Sequence, residues 1–353
     1  MPPTTPTTPT AASPPAEPTA QRGSGGERRH DIDLLRVVCT AAVVLVHASA
    51  EFFDAGHRTT GVVGDSAGRF AVPVFFAMAG WAALVGSPVR GEAQLLTRLG
   101  RILRPMAVWT VIYLLWQQYV AGRPPEAGDE EAPDALFGSV EAAFHLWYLY
   151  TYVPLVLLLG AAVLVVRRRA TPRRSLLLLV AFAVAPAAVG DVRTLTGLPL
   201  SDWGWNVSLY SLGYAVAGAA LLGARRCGPR PLWLGGAAVA LAALILYQFT
   251  VRHPAAYGSV TVAALTFAVL GAGHGVRVPE RARAVLARLS DASFGTYLVH
   301  LLWVMLLVEP VAERVPHGFW APVALAVTAS AAAVLAFAAS VAWGRLGLRR
   351  WLG

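Results

Sequence analysis

The chain has 353 residues, of which 56% are hydrophobic and only 14% charged, with a mean hydropathy of +0.55. That is too apolar for a soluble domain and reads as an all-α polytopic membrane protein. The net charge of +9 comes from 29 basic residues that are all arginine and sit between apolar runs, a placement that marks membrane topology and excludes a nucleic-acid-binding face.

Residues 1–29 are rich in Pro, Thr, Ala and Gly without periodicity and lack the basic and apolar regions of a signal peptide, so they are expected to form a disordered cytoplasmic tail. A membrane domain over 30–345 follows, with residues 346–353 as a cytoplasmic C-terminal tail. Apolar stretches near the roughly 20 residues needed to span hydrocarbon recur about ten times. They lie near 32–52, 67–86, 105–121, 143–166, 175–190, 203–223, 232–250, 257–276, 292–309 and 320–343.

The segments between them alternate sharply in charge. One set carries 22 arginines: Arg22, Arg28 and Arg29; Arg90, Arg98, Arg101 and Arg104; Arg167, Arg168, Arg169, Arg173 and Arg174; Arg225, Arg226 and Arg230; Arg277, Arg281, Arg283 and Arg288; and Arg345, Arg349 and Arg350. The other set has six, Arg58, Arg69, Arg123, Arg193, Arg252 and Arg314, together with the acids Glu126, Asp129, Glu130, Glu131 and Asp134. The positive-inside rule then places both termini in the cytoplasm of a multi-pass cell-membrane protein. Trp147, Tyr148, Tyr150 and Tyr152, and Trp203 and Trp205, read as aromatic belts at the outer boundary.

In the first apolar run Arg36 and His47 are eleven residues apart. At about 100° per residue that is about three turns, so the two side chains share a face about 16 Å apart along the axis. Ionisable groups inside a membrane-length segment are costly and mark functional sites by default. Asp33, one turn before Arg36, is placed to hold it by an i,i+3 ion pair. The competing reading has Arg36 snorkelling to headgroups and His47 bonding a neighbouring helix.

Arg98, Arg101 and Arg104 precede Pro105 at spacings of three, neighbouring positions of one helical surface suited to phosphate oxygens, or to anionic lipid. Pro105 fits the first turn of the following helix. Val72-Pro73-Val74-Phe75-Phe76 leads to small residues Ala77, Ala79 and Gly80, which permit close helix approach.

His145 opens the fourth run beside Trp147, either contacting an external acceptor or inert at the interface. Ser293, Tyr297 and His300 fall at i, i+4 and i+7, a polar stripe open to catalysis or to interhelical hydrogen bonding. His30, His57, His253, His274 and His317 show no partner pattern. The two cysteines, Cys39 and Cys227, give neither a disulfide framework nor metal-ligand spacing, so no metal is expected.

Together these segments resemble the acyltransferase 3 family of integral membrane O-acyltransferases over nearly all of residues 30–345. Asp33-Leu34-Leu35-Arg36 with His47 is similar to the family's first-helix signature, and Val72–Phe76 to its second-helix motif. Arg98-x-x-Arg101 resembles the cytoplasmic arginine pair, and Ser293-Phe-Gly-Thr-Tyr297-Leu-Val-His300 the penultimate-helix motif. Ala79 departs from the family, which commonly has Ser before the glycine, and the esterase-like domain fused to some members is absent from this sequence.

The resemblance implies an acyl-CoA donor, expected to be acetyl-CoA, taken from the cytoplasm as a substrate rather than a bound cofactor. It implies a hydroxyl acceptor on a carbohydrate or glycoside. Arg98, Arg101 and Arg104 would hold CoA, and His47 would act as general base or transient acyl carrier. Arg36 would position the donor or stabilise oxyanion charge, with Asp33, Ser293, Tyr297, His300 and His145 in support. A secondary transporter or exporter using Arg36 and His47 in a substrate or proton path is the alternative, and a non-catalytic scaffold the third.

Overall fold

Every regular element among the described residues is helical, as a chain that must satisfy its own backbone in lipid requires. The computed structural model describes residues 28–121, 133–167, 171–198 and 200–353. The expected tail over 1–27, including Arg22, lies outside them, as do Arg123, Glu126, Asp129, Glu130, Glu131, Arg168 and Arg169.

In chain order the helices are α1 (His30–Asp54), α2 (Arg58–Gly68), α3 (Ala71–Trp81) running into a π turn (Ala82–Gly86), and α4 (Glu92–Tyr119). A 3₁₀ segment (Glu141–Leu146) leads into α5 (Trp147–Val166), followed by α6 (Arg173–Thr196), α7 (Leu209–Gly223), α8 (Arg230–Thr250) and α9 (Val260–Gly273). Then come α10 (Glu280–Trp303) with a second π turn (Val304–Val308), α11 (Glu309–Ala312), α12 (Trp320–Arg345) and α13 (Arg349–Leu352).

Among the described residues seven stretches are long and apolar enough to cross a membrane: His30–Asp54, Arg58–Gly86, Glu141–Val166, Arg173–Thr196, Arg230–Thr250, Glu280–Ala312 and Trp320–Arg345. The other three expected spans also fall on helices but do not meet that standard. α7 and α9 are apolar with 15 and 14 residues, and α4 has 28 but carries Glu92 and three arginines. The second stretch starts earlier than hydropathy alone predicts because α2 brings a charged pair inside the bundle: Arg69 bonds Asp65 at 2.8 Å, one turn away.

The ends are set by local chemistry. Ser208 and Ser259 cap α7 and α9 by accepting from the Ser211 and Val262 backbone N–H. Gly197 closes α6 at φ +72°, a left-handed conformation that glycine adopts without a Cβ penalty.

Around α1 pack α2, α3, α10 and α12, making α1 the central rod. α6 lies at the periphery, with Ser175 its one buried residue. Lipid gives no hydrophobic drive between helices, so small residues set the closest contacts. A Cβ on Gly80 would overlap the Ala215 backbone of α7, and one on Gly218 the Ala77 backbone of α3. The close approach expected of Ala77 and Gly80 is therefore made, and it is reciprocal.

The arginine-rich segments gather at one end of the bundle. Arg28 bridges Asp33 (2.7 Å) and Asp291 (2.8 Å), joining the chain before α1 to α10. Ser175 N–H and Oγ–H both donate to Glu92 Oε1, at 2.7 and 3.0 Å, tying α6 to α4. α13 folds back onto this end: Arg349 donates to the Asp291 carbonyl (2.9 Å), Trp109 Nε1 to that of Leu352 (3.2 Å) and Trp343 Nε1 to that of Gly353 (2.9 Å).

Candidate active site

Along one face of α1, Arg36, Val43 and His47 stand in a column, as residues at i, i+7 and i+11 must, and this face is hollowed into two cavities. The first, of about 540 Å³, lies toward the arginine-rich end and is lined by Arg36, Arg101, Ser290, Asp291, Ser293 and Arg349 among others. The second, of about 420 Å³, lies toward the opposite end and holds His47, His145, Asp65, Arg69, His253 and Tyr257. Val43, Val72, Tyr148 and Tyr297 line both.

The second cavity brings histidines together. His47 is half-buried and accepts and donates no hydrogen bond among the described residues. Its ring lies 5.1 Å from that of His300, 6.4 Å from that of His145 and 5.4 Å from that of Phe144, centre to centre. His145 and His300 are 5.3 Å apart and perpendicular, so three imidazoles from three elements converge.

His300 is fully buried, and its Nδ1–H donates to the Tyr297 carbonyl (2.5 Å). A carbonyl can only accept, so the proton is on Nδ1 and the Nε2 lone pair is free. Among the described residues Nε2 has no hydrogen-bond partner of normal geometry, nor has either nitrogen of the 1%-exposed His145. Buried polar groups are ordinarily paired, and orphans concentrate where a reactant binds.

His145 is thus not an interfacial residue. The 3₁₀ segment breaks at Ala143 (φ −126°, ψ 37°) and turns the ring inward, between Tyr113 (4.8 Å) and Tyr297 (5.8 Å). Tyr297 Oη–H donates to the His145 carbonyl at 2.6 Å, fixing that turn to α10.

The first cavity collects guanidiniums, but not the expected set. Residues three apart on a helix are about 60° apart around it, so Arg98 and Arg104 diverge by about 120°, and only Arg101 of the three lines the cavity. Arg349, at the chain's end, takes a place that no local pattern assigned. Arg36 Nη1 donates to Ser290 Oγ at 3.0 Å, and Ser293 Oγ bonds back to the Leu289 carbonyl.

Asp33 does not hold Arg36. Helical side chains lean toward the N-terminus, and Asp33 is taken from that side by Arg28 (2.7 and 3.0 Å) and His30 (3.3 Å). These carboxylate bonds, Asp33 first and Asp291 second, hold the Arg28 guanidinium above its ordinary pKa.

Several residues without a sequence pattern are engaged. Arg69 donates twice to the Ala255 carbonyl (3.0 and 2.8 Å) besides Asp65, and lies 4.8 Å over the Tyr257 ring. Gln248 Nε2 bonds Asp65 Oδ2 (2.8 Å), completing the buried cluster beside the His47 cavity. His253 stacks on Phe53 (4.1 Å), and burial lowers its pKa from the ordinary value. His57 Nε2–H donates to the Ala312 carbonyl (3.1 Å), leaving Nδ1 to accept from His317 (3.0 Å), and His274 bonds the Ala224 carbonyl (3.0 Å). Both cysteines are free thiols, Cys39 buried and Cys227 donating to the Leu221 carbonyl (3.1 Å). Among the described residues no group of three or more His, Cys, Asp or Glu is placed to hold a metal ion.

The acyltransferase 3 family pattern, described as an acyltransferase domain, matches residues 29–343, nearly the whole chain. No curated protein and no solved structure matches it. The transporter reading gives way to the enzyme, and the chain belongs to the acyltransferase 3 family of membrane acyltransferases.

Proposed function

We propose that the protein is a cell-membrane O-acyltransferase that takes an acyl group, acetyl in the first instance, from cytoplasmic acyl-CoA and transfers it to a hydroxyl of a carbohydrate or glycoside. The arginine-rich end is the cytoplasmic one by the positive-inside rule, with both termini there and ten crossings made by the seven long helices together with α4, α7 and α9. The membrane domain then runs over 30–345 between the two tails.

The observation that carries this reading is His47 in a cavity with the unpartnered His145 ring, one turn of α1 beyond Val43, which that cavity shares with a second one rich in guanidiniums. Arg101, Arg349 and Arg36 hold the phosphates and the head of the CoA arm by charge-assisted hydrogen bonds. Arg98 and Arg104, which do not line the cavity, guide the anion or anchor lipid. Arg36 lies about three turns from His47, so it positions the donor rather than stabilising charge at the reacting carbonyl.

In the His47 cavity the acceptor oxygen attacks the thioester carbonyl as His47 takes its proton. The C–O bond forms, the C–S bond breaks, and the proton passes to the departing thiolate to give CoA. His300 and His145 offer polar atoms to the reacting groups, and Tyr297 holds both in place. A transient acyl-His47 would show as exchange of labelled CoA into acyl-CoA without acceptor.

The test is CoA release from acetyl-CoA by the purified protein given a cell-envelope extract as acceptor. The wild type turns over and His47→Ala, expressed and folded equally, does not; equal turnover would remove His47 from the chemistry.

A further inference from the structure

The two cavities have four residues in common, Val43, Val72, Tyr148 and Tyr297, so they adjoin across these side chains. We propose that these four residues form a gate that selects the donor by width, passing unbranched acyl groups and holding back branched isomers. The proposal rests on the donor reading above, in which acyl-CoA enters from the arginine-rich side.

The gate is built from side chains with little freedom. Val43 and Val72 are 6% and 9% exposed, and a β-branched residue in a helix keeps essentially one χ1 rotamer, so neither can swing aside. Tyr297 is fixed by its 2.6 Å hydrogen bond to the His145 carbonyl. Tyr148 is wedged edge-on to Tyr297 (5.8 Å) and against Phe76 (5.0 Å) and Tyr152 (5.3 Å). A close-packed wall resists an extra methyl group as it would in any core.

The geometry separates width from length. The acyl group leads the CoA arm, so it must clear the gate before the thioester carbonyl reaches His47. A straight chain has the same cross-section as the thioethyl segment that follows it, and beyond the gate it is limited only by the 420 Å³ it shares with the acceptor. A methyl branch beside the carbonyl adds width that must pass between the valines before the carbonyl reaches His47.

Butyryl-CoA and isobutyryl-CoA are isomers, so the ratio of their rates reads shape with composition held constant. The purified full-length protein is assayed for CoA release from acetyl-, butyryl- and isobutyryl-CoA with a cell-envelope extract as acceptor. The wild type is expected to favour butyryl over isobutyryl by about tenfold or more, the scale of a one-methyl steric discrimination. Val72→Ala and Val43→Ala, each removing one wall, bring the ratio toward one. Val72→Ile, which keeps an apolar β-branched residue, lowers isobutyryl turnover further and covers the case in which an alanine variant does not fold. A wild type that uses both isomers equally, or a ratio the folded variants leave unchanged, overturns the gate. A wild type that releases CoA from none of the three donors overturns the donor reading and the gate with it.

Discussion

His47 gains its position from a spacing that any reader of the chain can see, while its neighbours come from segments far away in sequence. His300 and His145 join it from α10 and the 3₁₀ segment, and both arrive with nitrogens unpaired. Their convergence was illegible because it depends on tertiary packing, whereas Arg36 and His47 share a helix and hence a fixed phase. Arg69 was hidden for another reason: with Asp65, Gln248 and the Ala255 carbonyl as partners it enters the bundle without an unpaired charge, so hydropathy reads it as a loop residue. His253 makes a prediction at this scale. Burial lowers its folded pKa below the unfolded value of about 6.5, so its contribution to stability is complete above that pH and lost as the pH falls below it, where the unfolded chain alone takes up the proton. Thermal melts from pH 7.5 to 5 should show a smaller acid-side loss in His253→Gln than in the wild type.

At the scale of elements, α3 and α7 are joined where side chains are missing. Gly80→Val would drive a branched side chain into the Ala215 backbone, and it is expected to cost at least about 1–3 kcal/mol and to lower the melting temperature in detergent, with Gly100→Ala, whose position is open, as the neutral control. The small residues after the Val-Pro-Val-Phe-Phe run announced this contact, although not its partner. α4 taught the opposite lesson. Its arginines read as one cluster, yet of the three only Arg101 lines the cavity, which it shares with Arg36 and, from α13, Arg349. Arg101→Ala and Arg349→Ala should each raise KM for acetyl-CoA by about 10- to 100-fold, the loss of a charge-assisted hydrogen bond. Arg98→Ala and Arg104→Ala should change it several-fold less, and an equal effect of all four would return the site to a diffuse basic surface.

Across the whole molecule, the ten apolar segments predicted from hydropathy all fall on helices, but only seven of these are span-length and apolar throughout. α7 and α9 are too short to count, and α4 carries Glu92 and three arginines, of which Arg101 faces the arginine-rich cavity. The bundle places guanidiniums at one end of α1, imidazoles farther along it and four shared wall residues between; in the reaction we propose, a charged donor and a hydroxyl acceptor approach the same atom from opposite sides. That central claim is tested most directly by supplying radiolabelled acetyl-CoA and a cell-envelope extract to the purified protein, measuring label passed to the extract alongside acetyl-CoA binding. His47→Ala is expected to bind acetyl-CoA still while transfer falls by about 10²- to 10⁴-fold, the contribution of a positioned proton acceptor; undiminished transfer in that variant would rule His47 out as that acceptor.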